Sequence, residues 1–151
     1  MVKVIAFDMD GTIVDLYGVT DWLEKLHRED SSPYSDAEPL VDIIRLNTLI
    51  QKLRENGWVV GVITWGSKES SIEYENQVAI EKIRWLRRYN MEWDFFSFQS
   101  YGTNKRSGIE REYDIAYLVD DNEEVRKEWG LHETINAQQD IFKQLEQLLY
   151  I

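Results

Sequence analysis

Cysteine is absent from the 151 residues. That absence excludes disulfide stapling, thiolate-bound zinc and thiol nucleophiles, and it suits a reducing compartment such as the cytoplasm. Proline and glycine are scarce, at two and eight residues, which argues against a fibrous or disordered chain. The only two histidines, His27 and His132, stand far apart in the pattern, and each reads as a solvated or structural side chain. No apolar run approaches the roughly 20 residues that a membrane-spanning helix requires. The first residues, Met1 to Asp8, lack a signal-peptide pattern, because their apolar stretch is short and ends in acids.

Positive charge is also in short supply. Lys and Arg number 17 against 28 Asp and Glu, for a net charge of −11. Such a surface repels polyanions, so extended nucleic-acid binding is disfavoured. A small phosphorylated substrate stays compatible, since a metal ion and a few local cations can reverse the sign inside a cleft. Apolar residues make up 43% of the chain, and 151 residues suffice to bury a core as one domain.

Short, nearly continuous apolar runs mark the expected strands: Val2 to Phe7, Trp58 to Ile63, Phe95 to Phe98 and Ile115 to Val119, with a brief fifth near Glu133 to Asn136. Runs of this kind suit a parallel sheet covered on both faces. Helical periodicity lies between them. Leu40 to Glu55 places Ile43, Ile44, Leu46, Leu49, Ile50 and Leu53 mostly on one face, and Ile72 to Tyr89 does the same with Val78, Ala79, Ile83 and Leu86. Asn122 to Trp129 and Gln138 to Leu149 complete the set. Alternating strands and helices imply a Rossmann-like α/β sandwich with ligand groups at the carboxyl ends of the strands. The segment Leu16 to Pro39 stands apart as a small flap. It holds a short expected helix from Asp21 to Glu29, where Asp21 and Glu24 have capping-box-like spacing, and then a turn-rich stretch around Pro33.

Chemistry-bearing residues sit where the expected strands end. Asp8 and Asp10 follow the first strand in Asp8-Met9-Asp10-Gly11-Thr12. One carboxylate can attack phosphorus in line, and a second can protonate the leaving oxygen and later take a proton from water. Gly11 permits a sharp turn that brings backbone N–H groups toward a phosphoryl group. Thr64 follows the second strand, and its hydroxyl can hold a phosphoryl oxygen. Trp65 and Gly66, like Gly11 and Thr12, are expected substrate contacts. Lys105 is the candidate cation that offsets phosphoryl charge, with its neighbour Arg106 as the rival. Asp120 and Asp121 follow the fourth strand and offer the hard oxygens that Mg²⁺ prefers. Taken singly, each site has a plain alternative: an Asp-Gly turn, a helix cap, a solvated loop cation or an acidic first turn of a helix. Tyr17, Trp22, Tyr34 and Trp65 can either pack the flap or stack on a ring.

In these four motifs, and in their order, the chain resembles the haloacid dehalogenase superfamily of phosphohydrolases. The resemblance spans nearly the whole chain. It implies Asp8 as nucleophile, Asp10 as general acid and base, Thr64 and Lys105 as phosphate-binding groups, and a Mg²⁺ ion held by Asp8, the main-chain carbonyl of Asp10 and Asp121, with Asp120 in support. Against the family's larger members, the space between the first two motifs leaves room only for a flap of about residues 16–39, with no large cap domain. The chain is also similar to small members encoded by bacteriophages, in its Tyr101-Gly102-Thr103 and Asp120-Asp121 segments. The implied activity is hydrolysis of a small phosphomonoester such as a nucleotide. A polynucleotide 3′-phosphatase and a binding or regulatory module that keeps the site without turnover are the alternatives.

Overall fold

The computed structural model describes all 151 residues. Five parallel strands make one sheet in the order β3-β2-β1-β4-β5. They are β1 (Lys3–Phe7), β2 (Trp58–Trp65), β3 (Phe95–Gln99), β4 (Ile115–Asp120) and β5 (Thr134–Asn136). Six helices surround it: α1 (Trp22–His27), α2 (Ser32–Asp36), α3 (Ile43–Glu55), α4 (Ile72–Arg88), α5 (Glu123–Trp129) and α6 (Ile141–Gln147). This is the Rossmann-like α/β sandwich expected from the sequence. No helix is long and apolar enough to cross a membrane.

Alternation along the strands divides the core between the two faces. Ile5 and Phe7 of β1 pack with Leu46, Leu49, Ile50 and Leu53 of α3, Trp85 and Leu86 of α4, and Leu145 of α6. Val4 and Ala6 face the other way, toward Ala116 and Leu118 of β4 and Val125 and Trp129 of α5. At Gly61, in the middle of β2, the ring of Phe95 occupies the space that a β-carbon would take.

Element boundaries differ from expectation where a cap or a pairing overrides the apolar pattern. α3 starts at Ile43 because the Asp42 carboxylate accepts the Arg45 N–H at 3.1 Å. Leu40 stays outside the helix, its N–H donated to the Ile13 carbonyl. Ile44 points to solvent, off the buried stripe. α6 starts after Asp140, which accepts the Lys143 N–H, rather than at Gln138. β2 continues to Trp65 because Ile63, Thr64 and Trp65 pair with Ser97, Phe98 and Gln99 of β3.

The flap departs further. Asp21 adopts a left-handed backbone, φ 57°, and its side chain caps nothing, so the expected capping box does not form and α1 is shorter than anticipated. The turn-rich stretch contains α2, with Pro33 in the first turn where its missing N–H costs nothing. The flap is anchored to α4. The Tyr74 hydroxyl donates to the Asp30 carbonyl at 2.8 Å, Ser71 Oγ to Glu29 at 2.8 Å, and the Trp85 indole to the Ala37 carbonyl at 2.8 Å. Leu16, Tyr34, Tyr74 and Val78 form a small separate cluster beneath it.

Candidate active site

Parallel register brings the distant motifs to one edge. Phe7, the last residue of β1, pairs with Val62 of β2 and Val119 of β4. Asp8 therefore emerges between the ends of its two neighbours, its N–H donated to the Val119 carbonyl at 2.9 Å. Thr64 lies at the end of β2, and Asp120 and Asp121 at the end of β4.

Lys105 enters from a 3-10 turn, Lys105–Gly108, which Asn104 caps by accepting the Arg106 N–H at 2.9 Å. Its ammonium is buried and donates to Asp8 Oδ1 and Asp120 Oδ2, both at 2.8 Å. The Trp65 ring lies 5.1 Å away. Burial works to lower the Lys105 pKa, but the two carboxylates overcome it and hold the ammonium charged. Arg106 turns the other way. It donates to the Trp129 carbonyl at 2.9 and 3.1 Å, pairs with Glu133 at 3.1 Å, and stacks over the Trp129 ring. Of the two rival cations, Lys105 is the one beside Asp8.

Carboxylate oxygens of Asp8, Asp120 and Asp121 lie within 4.8 Å of one another. Thr12 ties this group together from below. Its hydroxyl is within reach of Asp8 Oδ2 at 2.9 Å and Asp121 Oδ1 at 3.2 Å, and it accepts the Asp121 N–H at 3.1 Å. Burial, then the nearby Asp8 and Asp120 charges, push the Asp121 carboxyl up to about 7. Burial and Asp8 likewise raise Asp120, against the pull of Lys105. Both Asp120 oxygens are engaged, by Lys105 and by the Asn122 N–H at 2.9 Å. Asp121 Oδ2 has no hydrogen-bond donor and lies against Gly11, where a β-carbon would collide with it. Crowded hard oxygens with raised proton affinity make a donor set that fits a small divalent cation, with Asp121 the freer ligand and Asp120 the more constrained one.

Asp10 and Thr64 meet at a residue that the sequence reading did not single out. Lys82 of α4 is only 1% exposed. Its ammonium donates to Asp10 Oδ2 at 2.9 Å, Thr64 Oγ1 at 2.6 Å and the Trp65 carbonyl at 2.7 Å. Asp10 Oδ1 is buried without a partner. Burial raises the Asp10 pKa, outweighing Lys82, which favours a carboxyl able to carry a proton. The signal for Lys82 was present in the pattern: it lies four residues from both Val78 and Leu86, on the stripe that turns inward.

The four remaining expected contacts divide. Thr12 is buried and serves the acids rather than the open cleft. The Gly11 N–H is donated to the Val14 carbonyl at 2.9 Å and the Gly66 N–H to the Gln99 carbonyl at 2.8 Å, so neither is directed at a phosphoryl oxygen. Trp65 fixes its indole on the Thr103 carbonyl at 2.9 Å and packs against Tyr101. A cleft of about 590 Å³ opens over Asp8, Asp10, Lys105, Asp120 and Asp121, lined also by residues of the flap and by Trp65 and Tyr101. Tyr17 and Trp22 of the flap line it edge to face, ring centroids 4.9 Å apart, and His27 lies on its rim. Tyr34 also borders the cleft but is buried, its hydroxyl bonded to Ser67 at 2.6 Å.

A comparison with protein-family models finds no match, and neither does one with curated proteins. Among solved structures the chain is similar to the D,D-heptose 1,7-bisphosphate phosphatase from Burkholderia thailandensis, with a TM-score of 0.57 at 13% identity over 99% of each chain. The likeness is one of fold, and the fold is one that a phosphatase uses.

Proposed function

We propose that the chain is a magnesium-dependent phosphomonoester hydrolase that works through an aspartyl-phosphate at Asp8, on a small phosphorylated metabolite such as a nucleotide. The observation that carries this reading is the setting of Asp8: a carboxylate at a strand end, paired with a buried lysine, grouped with two further acids, and open to a cleft.

In this reading an Asp8 oxygen attacks phosphorus, and the bond from phosphorus to the leaving oxygen breaks. Asp10 gives its proton to that oxygen. It then takes a proton from water, which attacks the aspartyl-phosphate and releases inorganic phosphate and a restored Asp8. Lys105 and the Thr64 hydroxyl hold phosphoryl oxygens as their charge changes. Held by Asp8, Asp121, the Asp10 carbonyl and Asp120 in support, a Mg²⁺ ion supplies positive charge that offsets the phosphoryl oxygens.

Two features support a compact substrate with a planar group. Tyr17, Trp22, Trp65 and Tyr101 all line the cleft, and such rings can stack on a base. The net charge of −11 opposes a long polyanion. The test is hydrolysis of aryl phosphate, nucleoside monophosphates, sugar phosphates and 3′-phosphorylated oligonucleotides with Mg²⁺ or chelator, using Asp8→Asn as control. Metal-dependent release of phosphate from nucleotides, lost in Asp8→Asn, supports the reading. Preference for the oligonucleotides replaces the substrate, and neither turnover nor metal binding in the wild type replaces catalysis with a binding module.

A further inference from the structure

We infer that Lys82 is a positioning residue that sets Asp10 and Thr64 for reaction together, an inference that rests on the hydrolase reading above. An ammonium has three N–H donors and no acceptor. In this fold all three are assigned: Asp10 Oδ2, Thr64 Oγ1 and the Trp65 carbonyl lie 2.9, 2.6 and 2.7 Å from the nitrogen. The surroundings leave the ammonium no freedom to reorient, since the lysine is almost fully buried. The Tyr34 and Phe98 rings flank it at 5.3 and 5.9 Å, within cation–π range of an ammonium.

Two consequences follow from donor counting. Because Lys82 can only donate, the Thr64 oxygen must accept from it. The Thr64 proton is then directed elsewhere, and the hydroxyl makes no other hydrogen bond. Its proton is left without an acceptor, on a residue that is 1% exposed and directly precedes Trp65 and Gly66, which line the cleft that a phosphoryl group would enter. Asp10 is held through one oxygen only, while Oδ1 stays buried and unpartnered. Such an atom is costly to leave unsatisfied, and it is the oxygen free to carry the proton for the leaving group. Lys82 touches neither Asp8 nor the acid pair. That task belongs to Lys105, which in turn makes no hydrogen bond to Asp10. The two buried lysines thus serve different carboxylates: Lys105 the attacking one and Lys82 the proton-transferring one.

A lysine that merely satisfied the Trp65 carbonyl would matter for stability and nothing else. Leaving-group dependence separates the two roles. Hydrolysis of p-nitrophenyl phosphate needs little protonation of its leaving oxygen, whereas an alkyl phosphate needs it fully. Lys82→Met keeps the length of the side chain and removes all three donors. The expected result, at saturating Mg²⁺, is a fall in kcat/KM larger on the alkyl phosphate than on the aryl phosphate by about 100-fold, the lower range of general-acid contributions. That constant reports the leaving-group step and not the shared hydrolysis of the aspartyl-phosphate. The ratio of the two activities in one preparation does not depend on how much of it is folded. Where the Met variant yields no soluble protein, Lys82→Gln, which keeps amide donors at shorter reach, should show the same bias to a smaller degree. In an Asp10→Asn background, Lys82→Met should add no further bias, as expected for two residues acting through one step. Equal loss on both substrates, or extra bias in the Asp10→Asn background, would overturn the inference while leaving the hydrolase reading intact. Wild-type protein that turns over neither substrate would overturn both.

Discussion

Replacing Lys105 with methionine removes the cation that holds Asp8 and Asp120 together while keeping most of the side-chain volume. Its ammonium makes two ion pairs at 2.8 Å, and it is more buried than Asp8 and nearly as buried as Asp120. The acids left behind have carboxylate oxygens within 4.8 Å of one another. At that separation, with an effective dielectric constant of about 20, each ionised pair repels by about 3.5 kcal/mol. Removing one partner of a buried pair costs about 3–5 kcal/mol in measured cases, and the repulsion places Lys105→Met toward the upper part of that range. A domain has about 5–15 kcal/mol in total, so the metal-free variant should be close to its folding limit. Urea unfolding in chelator should show a midpoint lower by about 2 M, taking a slope of about 2 kcal/mol per molar. A divalent cation replaces part of the missing positive charge, so saturating Mg²⁺ should recover more stability in the variant than it adds to the wild type. Equal midpoints in chelator, or Mg²⁺ protection no greater than in the wild type, would refute the electrostatic account of the site.

Arg106→Ala should lose less, about 1–3 kcal/mol, through the Trp129 carbonyl and Glu133 while kcat stays at the wild-type level; a large fall in kcat would return Arg106 to the site. Thr12→Val removes the hydroxyl shared by Asp8 and Asp121, and the Mg²⁺ concentration needed for half-maximal activity should rise about 10- to 100-fold, as read by metal titration. Metal-free protein should become more stable as pH falls. The Asp121 carboxyl titrates at about 7 in the folded chain against about 3.9 when unfolded, so between those values the folded state holds the extra proton and its stability drops as pH rises through 7. Urea midpoints in chelator should decline from about pH 5 to about pH 8, and saturating Mg²⁺ should flatten that slope; midpoints that climb with pH in chelator would contradict it.

Much of the site was legible because a parallel sheet converts sequence position into spatial position. Asp8, Thr64 and Asp120 each end an apolar run, and runs of that kind finish on one edge. The Lys105–Arg106 ambiguity could not be resolved from residue type, since both are cations in one loop. What decides between them is the rotation of a single 3-10 turn, set by the Asn104 cap and by the stacking of Arg106 on Trp129. Lys82 was hidden for another reason. A lysine on an amphipathic helix is normally solvated, and only its place on the Val78–Leu86 stripe marked it as inward. The short helix α2 was masked by Ser and Pro, which favour turns but also start helices. Backbone N–H groups at Gly11 and Gly66 looked available because their local partners, Val14 and Gln99, are fixed by the turn and by the β2–β3 pairing, neither of which residue type reveals.

The central claim is that Asp8 becomes phosphorylated during turnover. Wild-type protein mixed with Mg²⁺ and its best substrate, quenched in acid within the first turnovers and digested, is the direct measurement. The peptide carrying Asp8 and Asp10 should gain the mass of one phosphoryl group, the fragmentation should assign it to Asp8, and Asp8→Asn should show neither adduct nor phosphate release. Phosphate release by the wild type with no adduct on that peptide, or full metal-dependent turnover by Asp8→Asn, would contradict the account.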